Sequence, residues 1–213
     1  MSALVLLLAD GRFPSGGYSH SGGVEGAVAG GRLADVDELG PFLVGRLATA
    51  GRVSAALAAA ACGGGHGLDL LDREASARMA SPALRAASRA QGRHLLRAGA
   101  AVLGRRLPTG DAHHAVAMGI VGRAAGASVM EVARWAAYES VAGPAAAALR
   151  LLGLDPFATW ALVASLDRQV EAVAAESAAA ASGPLDRLPA ASAPWLDIGA
   201  QHHASQEVRL FAS

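Results

Sequence analysis

The chain has 213 residues, a formal net charge of zero at pH 7, and 53% hydrophobic but only 4% aromatic residues. This apolar composition excludes an intrinsically disordered chain, and the zero net charge removes any overall attraction to nucleic acid. Alanine, the best helix former, makes up about a quarter of the chain, whereas isoleucine occurs only at Ile120 and Ile198. We therefore expect an all-α fold and not an all-β one.

Residue types that the sequence lacks exclude several chemistries. All 18 basic residues are arginines, so neither a Walker A loop nor a lysine Schiff base can form. Cys62 is the only cysteine, which excludes an intrachain disulfide and a thiolate zinc cluster and fits a cytoplasmic location. Residues 3–9 lack the positive region of a signal peptide. The longest uncharged run, 53–68, is broken by glycines, so no membrane span is expected.

Helix signals recur from Asp35 onward and predict one domain over residues 1–213. It comprises an irregular Gly-rich segment (1–34), a helical bundle (35–183) and a proline-spaced tail (184–213). Asp35 with Glu38 is a helix-start pattern, although Gly40-Pro41 favours a start of the helix proper at Pro41. Capping residues, prolines and glycines predict helices at 35–62, 68–80, 82–107, 111–125, 129–152 and 156–182, with a turn at 108–110.

The helix after Ser128 carries three signals. Ser128 and Glu131 form a capping-box pattern. Pro144 lies inside the helix, where its ring should clash with the carbonyl of Ser140 and cause a kink. An apolar stripe at helical spacing is interpreted as a core face, with a subunit interface as the alternative: Trp135, Tyr138, Ala142, Ala145, Leu149 and Leu152.

The prolines at 184, 189 and 194 predict that residues 195–213 leave the bundle as an extended arm. The arm is too apolar for a free terminus, so its side chains should dock either on this chain's own bundle or on a partner protein. The apolar residues are Trp195, Leu196, Ile198, Val208, Leu210 and Phe211.

Three alternative functions arise from residue patterns alone. The glycines around Tyr18 could cradle a phosphate, but no lysine accompanies them. Ser19 or Ser21 with His20 could serve a hydrolase, yet Ser21 stands where a nucleophile elbow needs glycine. The histidine pairs at 113–114 and 202–203 are adjacent and lack the i, i+4 spacing that chelates a metal, so capping or core roles are favoured.

A row of arginines at four-residue spacing, Arg85, Arg89, Arg93 and Arg97, lies in a stretch without acidic residues. Such a row is a solvated face or a surface for an acidic protein partner or nucleic acid. No aromatic residues alternate with these arginines, which disfavours single-stranded nucleic acid. We favour the acidic protein partner.

Residues 8–25 resemble the N-terminal signature of the UreF family of urease accessory proteins. The signature runs Leu-x-Asp, then Pro-x-Gly-Gly-Tyr-x-His-Ser-x-Gly, then an apolar residue and Glu, and every named position is present here. Three further blocks follow in the family's order, at 91–97, 113–119 and 196–211, so the resemblance covers nearly the whole chain. The tail departs from the family pattern, since Ala204 follows His203 and Glu207 stands at the expected tyrosine.

The resemblance implies an all-α, non-enzymatic, dimeric chaperone, and the histidine spacing above predicts no metal site within the chain and no cofactor. It would bind a UreD/UreH-type accessory protein and recruit a nickel-carrying UreG-type GTPase to apo-urease, with no nucleic-acid or membrane partner. The matching residues are the expected partner contacts: Pro14, Gly16, Gly17, Tyr18, His20, Ser21, Gly22 and Glu25 in the signature, with Leu196, Asp197, Ile198, His203, Arg209, Leu210 and Phe211 in the tail.

Overall fold

A computed structural model describes residues 2–108, 110–207 and 209–212. The all-α prediction is confirmed, because every regular element of the described residues is helical. Two predictions extend beyond this part of the chain: the turn at 108–110 includes Thr109, and the apolar arm includes Val208. The α-helices are α1 (Ala3–Ala9), α2 (Val24–Ala29), α3 (Val36–Arg46), α4 (Arg52–Gly63), α5 (Leu68–Ala77), α6 (Pro82–Leu103), α7 (His114–Ala124), α8 (Val129–Leu152), α9 (Pro156–Ser165), α10 (Asp167–Ala180) and α11 (Pro194–Ala204).

Helix α4 is the centre of the bundle and packs against α7, α8 and α10. Residues 55–62 of α4 are all buried, and most of them are alanines. A Cβ atom at Gly119 of α7 would lie 2.4 Å from the Cβ of Ala61, so the two helices touch at a distance that only small residues allow. The core thus obtains its density from close backbone approach and not from large aromatic side chains.

Helices α3 and α4 form one continuous rod, joined by a π-helical turn at Leu47–Gly51. The helix begins at Val36, with the Asp35 side chain accepting from the Glu38 amide, so the predicted start at Pro41 is wrong. Within the described residues, the rod Val36–Gly63 is the one helix long and apolar enough to cross a membrane, but half of its most apolar window is buried inside the bundle. The rod is therefore a core helix of the bundle.

Several other predicted bounds change. Helix α6 ends at Leu103, four residues early, because Gly104 adopts a left-handed conformation (φ 59°). Helix α7 begins at His114 and not at Asp111. The predicted helix 156–182 is two helices, α9 and α10, separated at Leu166. The capping box of Ser128 and Glu131 is confirmed.

Pro144 lies inside α8, as predicted, and the structure shows what happens to the carbonyl its ring leaves without a helical donor. Arg46 Nε donates to the Ser140 carbonyl oxygen at 3.0 Å. The apolar stripe is only partly core, because Trp135 and Ala145 are buried whereas Tyr138 is 42% exposed. The buried face of α8 is formed instead by other residues, including Val132, Val141 and the alanines between them.

Both ends of the chain are more helical than predicted. The Gly-rich residues remain irregular apart from a short 3₁₀ turn at Gly17–Ser19, but α1 precedes them and α2 follows. The tail is not an extended arm, because residues 194–204 form α11, which packs against α2 and α6. Pro194 permits this since it occupies the first turn of the helix, where its missing N–H costs nothing.

Candidate functional site

The Gly-rich N-terminal segment and the C-terminal tail meet at the carboxylate of Glu25. Its Oε2 accepts from His203 Nε2 at 2.6 Å and from the Phe211 amide at 3.0 Å. Its Oε1 accepts from the Leu210 amide at 2.7 Å. One side chain of α2 thus holds both the last turn of α11 and the backbone of Leu210 and Phe211 beyond it. These two halves of the predicted site lie far apart in sequence.

Arg150, in the last turn of α8, completes this junction. Its guanidinium lies 3.8 Å from the Tyr18 ring centroid and 4.4 Å from that of Phe211, so it is stacked against both aromatic rings. Arg150 Nη2 also donates to the Tyr18 carbonyl at 2.9 Å. We call the set Tyr18, Glu25, Arg150, His203 and Phe211 the tail clamp.

Helix α11 is fixed in place by contacts outside the tail clamp. Asp197 Oδ1 accepts from the Ser81 amide at 2.8 Å, and Gln201 Oε1 accepts from the Ser81 hydroxyl at 2.8 Å. The tail therefore caps the N-terminus of α6, where free amide groups need acceptors. Leu196 covers Gly23, whose hypothetical Cβ would lie 2.7 Å from Leu196 Cδ2.

The predicted contact residues fall into two groups by exposure. Those that face solvent are Pro14, Tyr18, Ile198, Arg209 and Leu210, with Tyr18, Ile198 and Leu210 more than half exposed. Those that are buried are Ser21, His203 and Phe211. Gly16, Gly17, His20, Gly22, Glu25, Leu196 and Asp197 are intermediate. Of the buried residues, His203 and Phe211 hold the tail against the signature, and of the exposed ones, Tyr18, Ile198 and Leu210 present large apolar side chains to solvent.

Gly16 has φ 84°, a conformation that L-residues rarely adopt, whereas Gly17 does not have a positive φ. A surface groove of ≈ 480 Å³ runs beside it, lined by Pro14, Tyr18, Ser19 and His94 among others. The turn at Gly16 directs Tyr18 outward beside this groove, where a partner can reach its ring.

His20 lies on the inner side of the signature. Burial, together with the neighbouring His114 and His94, lowers the pKa of His20 to about 4, so its imidazole is neutral at physiological pH. The Ser19 hydroxyl donates to the Gly16 carbonyl at 2.8 Å, and Ser21 is 0% exposed. Ser21 is thus inaccessible to a substrate, and the exposed Ser19 hydroxyl donates to a backbone carbonyl, which argues against the hydrolase alternative.

Most arginines of the row at 85–97 contact groups of this same chain. Arg89 Nη2 donates to Asp72 Oδ2 at 2.8 Å, Arg93 pairs with Asp111 at 2.7 Å, and Arg85 Nη1 donates to the Met79 and Ala80 carbonyls. Asp72 lies in α5 and Asp111 in the loop before α7, so Arg89 and Arg93 pair with acids of this chain, whereas the acidic protein partner that we favoured stays a prediction.

His113 has a structural role. It is 0% exposed, with Ser88 Oγ 3.0 Å from Nδ1 and Ser76 Oγ 2.9 Å from Nε2. Burial lowers the pKa of His113. Within the described ranges, no group of three or more His, Cys, Asp or Glu side chains is arranged to hold a metal ion.

Sequence reasoning missed two arginines of this region. The sequence marks Arg150 only as a basic residue in the last turn of a helix. Basic residues are common there because they interact favourably with the helix dipole, so the position does not indicate a binding role. Arg46 had none, because its partner is the Ser140 carbonyl 94 residues away.

Comparison with known proteins shows which family the sequence matches. The family model described as UreF matches residues 33–167. The urease accessory protein UreF of Mycolicibacterium vanbaalenii is 42% identical over 226 residues, covering 99% of this chain and 98% of that protein. The protein of the same description from Mycobacterium sp. (strain JLS) is 43% identical, covering 98% and 97%, and that from Mycobacterium tuberculosis H37Rv is 38% identical, covering 99% and 98%.

Proposed function

This chain belongs to the UreF family of urease accessory proteins, and from that premise we propose that it is a non-catalytic scaffold for nickel incorporation into urease. It binds a UreD/UreH-type accessory protein and recruits a UreG-type GTPase to apo-urease in the cytoplasm. Nickel is the cargo of this assembly and not a resident cofactor of the chain.

The observation that supports this proposal is the joined surface above the tail clamp. The side chains of Tyr18 and Leu210 are 68% and 67% exposed. Their backbones are nevertheless fixed, because the Tyr18 carbonyl accepts from Arg150 and the Leu210 amide donates to Glu25. The Ala212 amide donates to the Ser19 carbonyl at 2.7 Å, so the signature and the tail form one surface. Exposed aromatic and aliphatic side chains on a rigid support are what protein interfaces use as anchors.

We also propose that the chain works as a homodimer. Large apolar side chains remain exposed on other faces, including Leu6 and Leu7 of α1 and Phe157 of α9, which is 85% exposed. Association would add apolar burial to a core that contains few aromatic residues. Light scattering of the pure chain, alone and with its partners, measures this directly.

The decisive experiment for partner binding uses exposed residues, since α11 and Phe211 are packed and deleting the tail would uncover core. Tyr18→Ala and Leu210→Asp should each reduce capture of the UreD/UreH-type protein or the UreG-type GTPase while the helical circular dichroism stays unchanged. Val102→Asp is the matched control, because Val102 is 46% exposed and lies about 12 Å along α6 from His94, outside the groove that Tyr18 lines.

Urease activation provides the functional measurement. In cells whose own UreF-family protein has been deleted, the wild-type chain and the Val102 variant should restore urease activity. The Tyr18→Ala and Leu210→Asp variants should not. Full capture and full activation by both variants would show that this surface is not the docking site.

A further inference from the structure

A small polar cavity of ≈ 90 Å³ lies beneath the Gly-rich segment, between that segment and helices α3, α6, α7 and α8. Its walls include the Arg46 guanidinium, the side chains of Ser54, Gln91 and His114, and the glycines Gly17 and Gly22. The cavity is much smaller than the 300–1,000 Å³ typical of sites for drug-sized ligands, so it has room for only a few heavy atoms.

Arg46 is the unusual member of this cavity. A guanidinium carries five N–H donors, and within the described residues Arg46 uses one of them, from Nε to the Ser140 carbonyl. No carboxylate among those residues lies within 4.0 Å of its nitrogens, in contrast to Arg78, Arg89 and Arg134. Burial lowers the pKa of Arg46 to about 10, which still leaves it protonated at neutral pH. A partly buried cation is therefore left with most of its donors unfilled.

The remaining groups around the cavity do not neutralise this charge. Glu139 is the nearest acid, but its carboxylate lies 3.6 Å from His114 Nε2 and its side chain is 32% exposed, so it sits at the rim. His20, on the opposite wall, is neutral because its pKa is lowered to about 4. Ser54 and Gln91 contribute uncharged hydrogen-bonding groups.

Glycine keeps the guanidinium accessible. A Cβ atom at Gly22 would lie 2.8 Å from Pro144 Cγ and 3.3 Å from both Cζ and Nη2 of Arg46. Gly22 also has φ 63°, so a side chain there would be strained as well as obstructive. The signature thus leaves open the face of Arg46 that the fold does not use.

We propose that this cavity binds a small planar monoanion of the carboxylate type, with two oxygens accepting from the Arg46 guanidinium. Two parallel N–H···O bonds are the geometry that a guanidinium offers to such an ion, and they fill the donors that the fold leaves over. We take the ion to be a free small molecule, because the cavity has room for only a few heavy atoms. A carboxylate side chain of a partner protein carries the same chemistry and is distinguished by the test below.

Formate is the probe, because it has two oxygens and fits the cavity, whereas benzoate is too large. Formate titrated into the isotope-labelled full chain should shift the Arg46 Nε–H resonance saturably, and benzoate should not. Arg46→Gln should weaken formate binding about tenfold or more, as expected for loss of a charge-assisted hydrogen-bond pair. Arg52→Gln is the matched control, since Arg52 follows on the same rod and pairs with Glu176 on the surface.

Glu139→Gln tests the charge argument independently of any folding defect at Arg46. Removing the rim carboxylate takes away repulsion and should tighten formate binding several-fold. Formate binding unaffected by Arg46→Gln, or lost equally in the Arg52 variant, would overturn the proposal.

Capture of a protein partner by the wild-type chain and by the Arg46 variant distinguishes the two sources of the carboxylate. If formate does not bind the pure chain but Arg46→Gln abolishes capture of a protein partner, the carboxylate comes from that partner. If neither formate binding nor partner capture depends on Arg46, the site does not exist. The formate titration needs no partner protein, so its failure can be distinguished from a failure of the proposed role in urease maturation.

Discussion

Replacing Glu25 with alanine should release the tail while leaving the bundle folded. The substitution removes an acceptor that holds His203 Nε2 and the amides of Leu210 and Phe211 at 2.6, 2.7 and 3.0 Å. Hydrogen bonds to a charged group contribute about 1.5–3 kcal/mol each, and shared bonds do not add fully, so we take about 3 kcal/mol as a lower figure for the set.

That loss decides whether the tail stays docked. Ordering a backbone costs about 1–2 kcal/mol per residue, and what remains to offset this cost is the Ala212–Ser19 hydrogen bond and the packing of Phe211 against Arg150. Phe211, which is 3% exposed, contributes about 2 kcal/mol by burial, which is less than the ordering cost of its neighbours. Without Glu25, residues 209–212 should therefore undock, and α11 should stay in place through Asp197 and Gln201.

Hydrogen exchange of the Leu210 and Phe211 amides measures this directly. A loss of about 3 kcal/mol corresponds to roughly a hundredfold loss of protection at these two amides, with protection in α4 unchanged. Trypsin gives a second readout, because Arg209 precedes the two amides and should become cleavable. Glu176→Ala, a surface carboxylate paired with Arg52, is the control. Wild-type protection of Leu210 and Phe211 in the Glu25 variant would refute the role assigned to this carboxylate.

Three further predictions concern stability. His20→Asn should flatten the fall in stability between about pH 6.5 and pH 4, because the lowered His20 pKa means that the unfolded chain binds a proton in this window and the folded chain does not; urea unfolding at a series of pH values checks this. Gly119→Ala should lower the free energy of unfolding by about 1–3 kcal/mol, since its Cβ would lie 2.4 Å from the Ala61 Cβ. Gly45→Ala, which has open space at an exposed helical position, should instead raise the same denaturant midpoint. Ser128→Ala should cost about 1 kcal/mol by removing the capping box of α8, seen as a lower Tm, and an unchanged Tm would show that the cap contributes nothing.

The starts of α6 and α8, which carry local capping patterns, were the most predictable part of the fold. Ser81 with Pro82 and Ser128 with Glu131 are local patterns whose hydrogen bonds close within four residues, so the sequence carries the whole signal. The helix α11 was missed because three prolines were taken together, although Pro194 alone is compatible with a first helical turn.

The candidate site could be predicted in its residues but not in its assembly. The signature and the tail were both identified, yet nothing local indicates that the Glu25 carboxylate accepts from residues 178 to 186 positions away. Exposure also had to come from the structure, since Leu210 and Phe211 are adjacent and both apolar, but one is 67% and the other 3% exposed. Such differences depend on packing between distant elements.

The sequence separation across the tail clamp has a kinetic consequence. Contacts between residues so far apart gain nothing until the intervening helices have packed, because the entropy of closing the loop must first be offset. We therefore expect the junction of Glu25 with Phe211 to form late in folding, after the bundle that carries α2 and α8 is assembled. A partner that recognised Tyr18 and Leu210 together, as proposed above, would then bind only chains that have completed this last step.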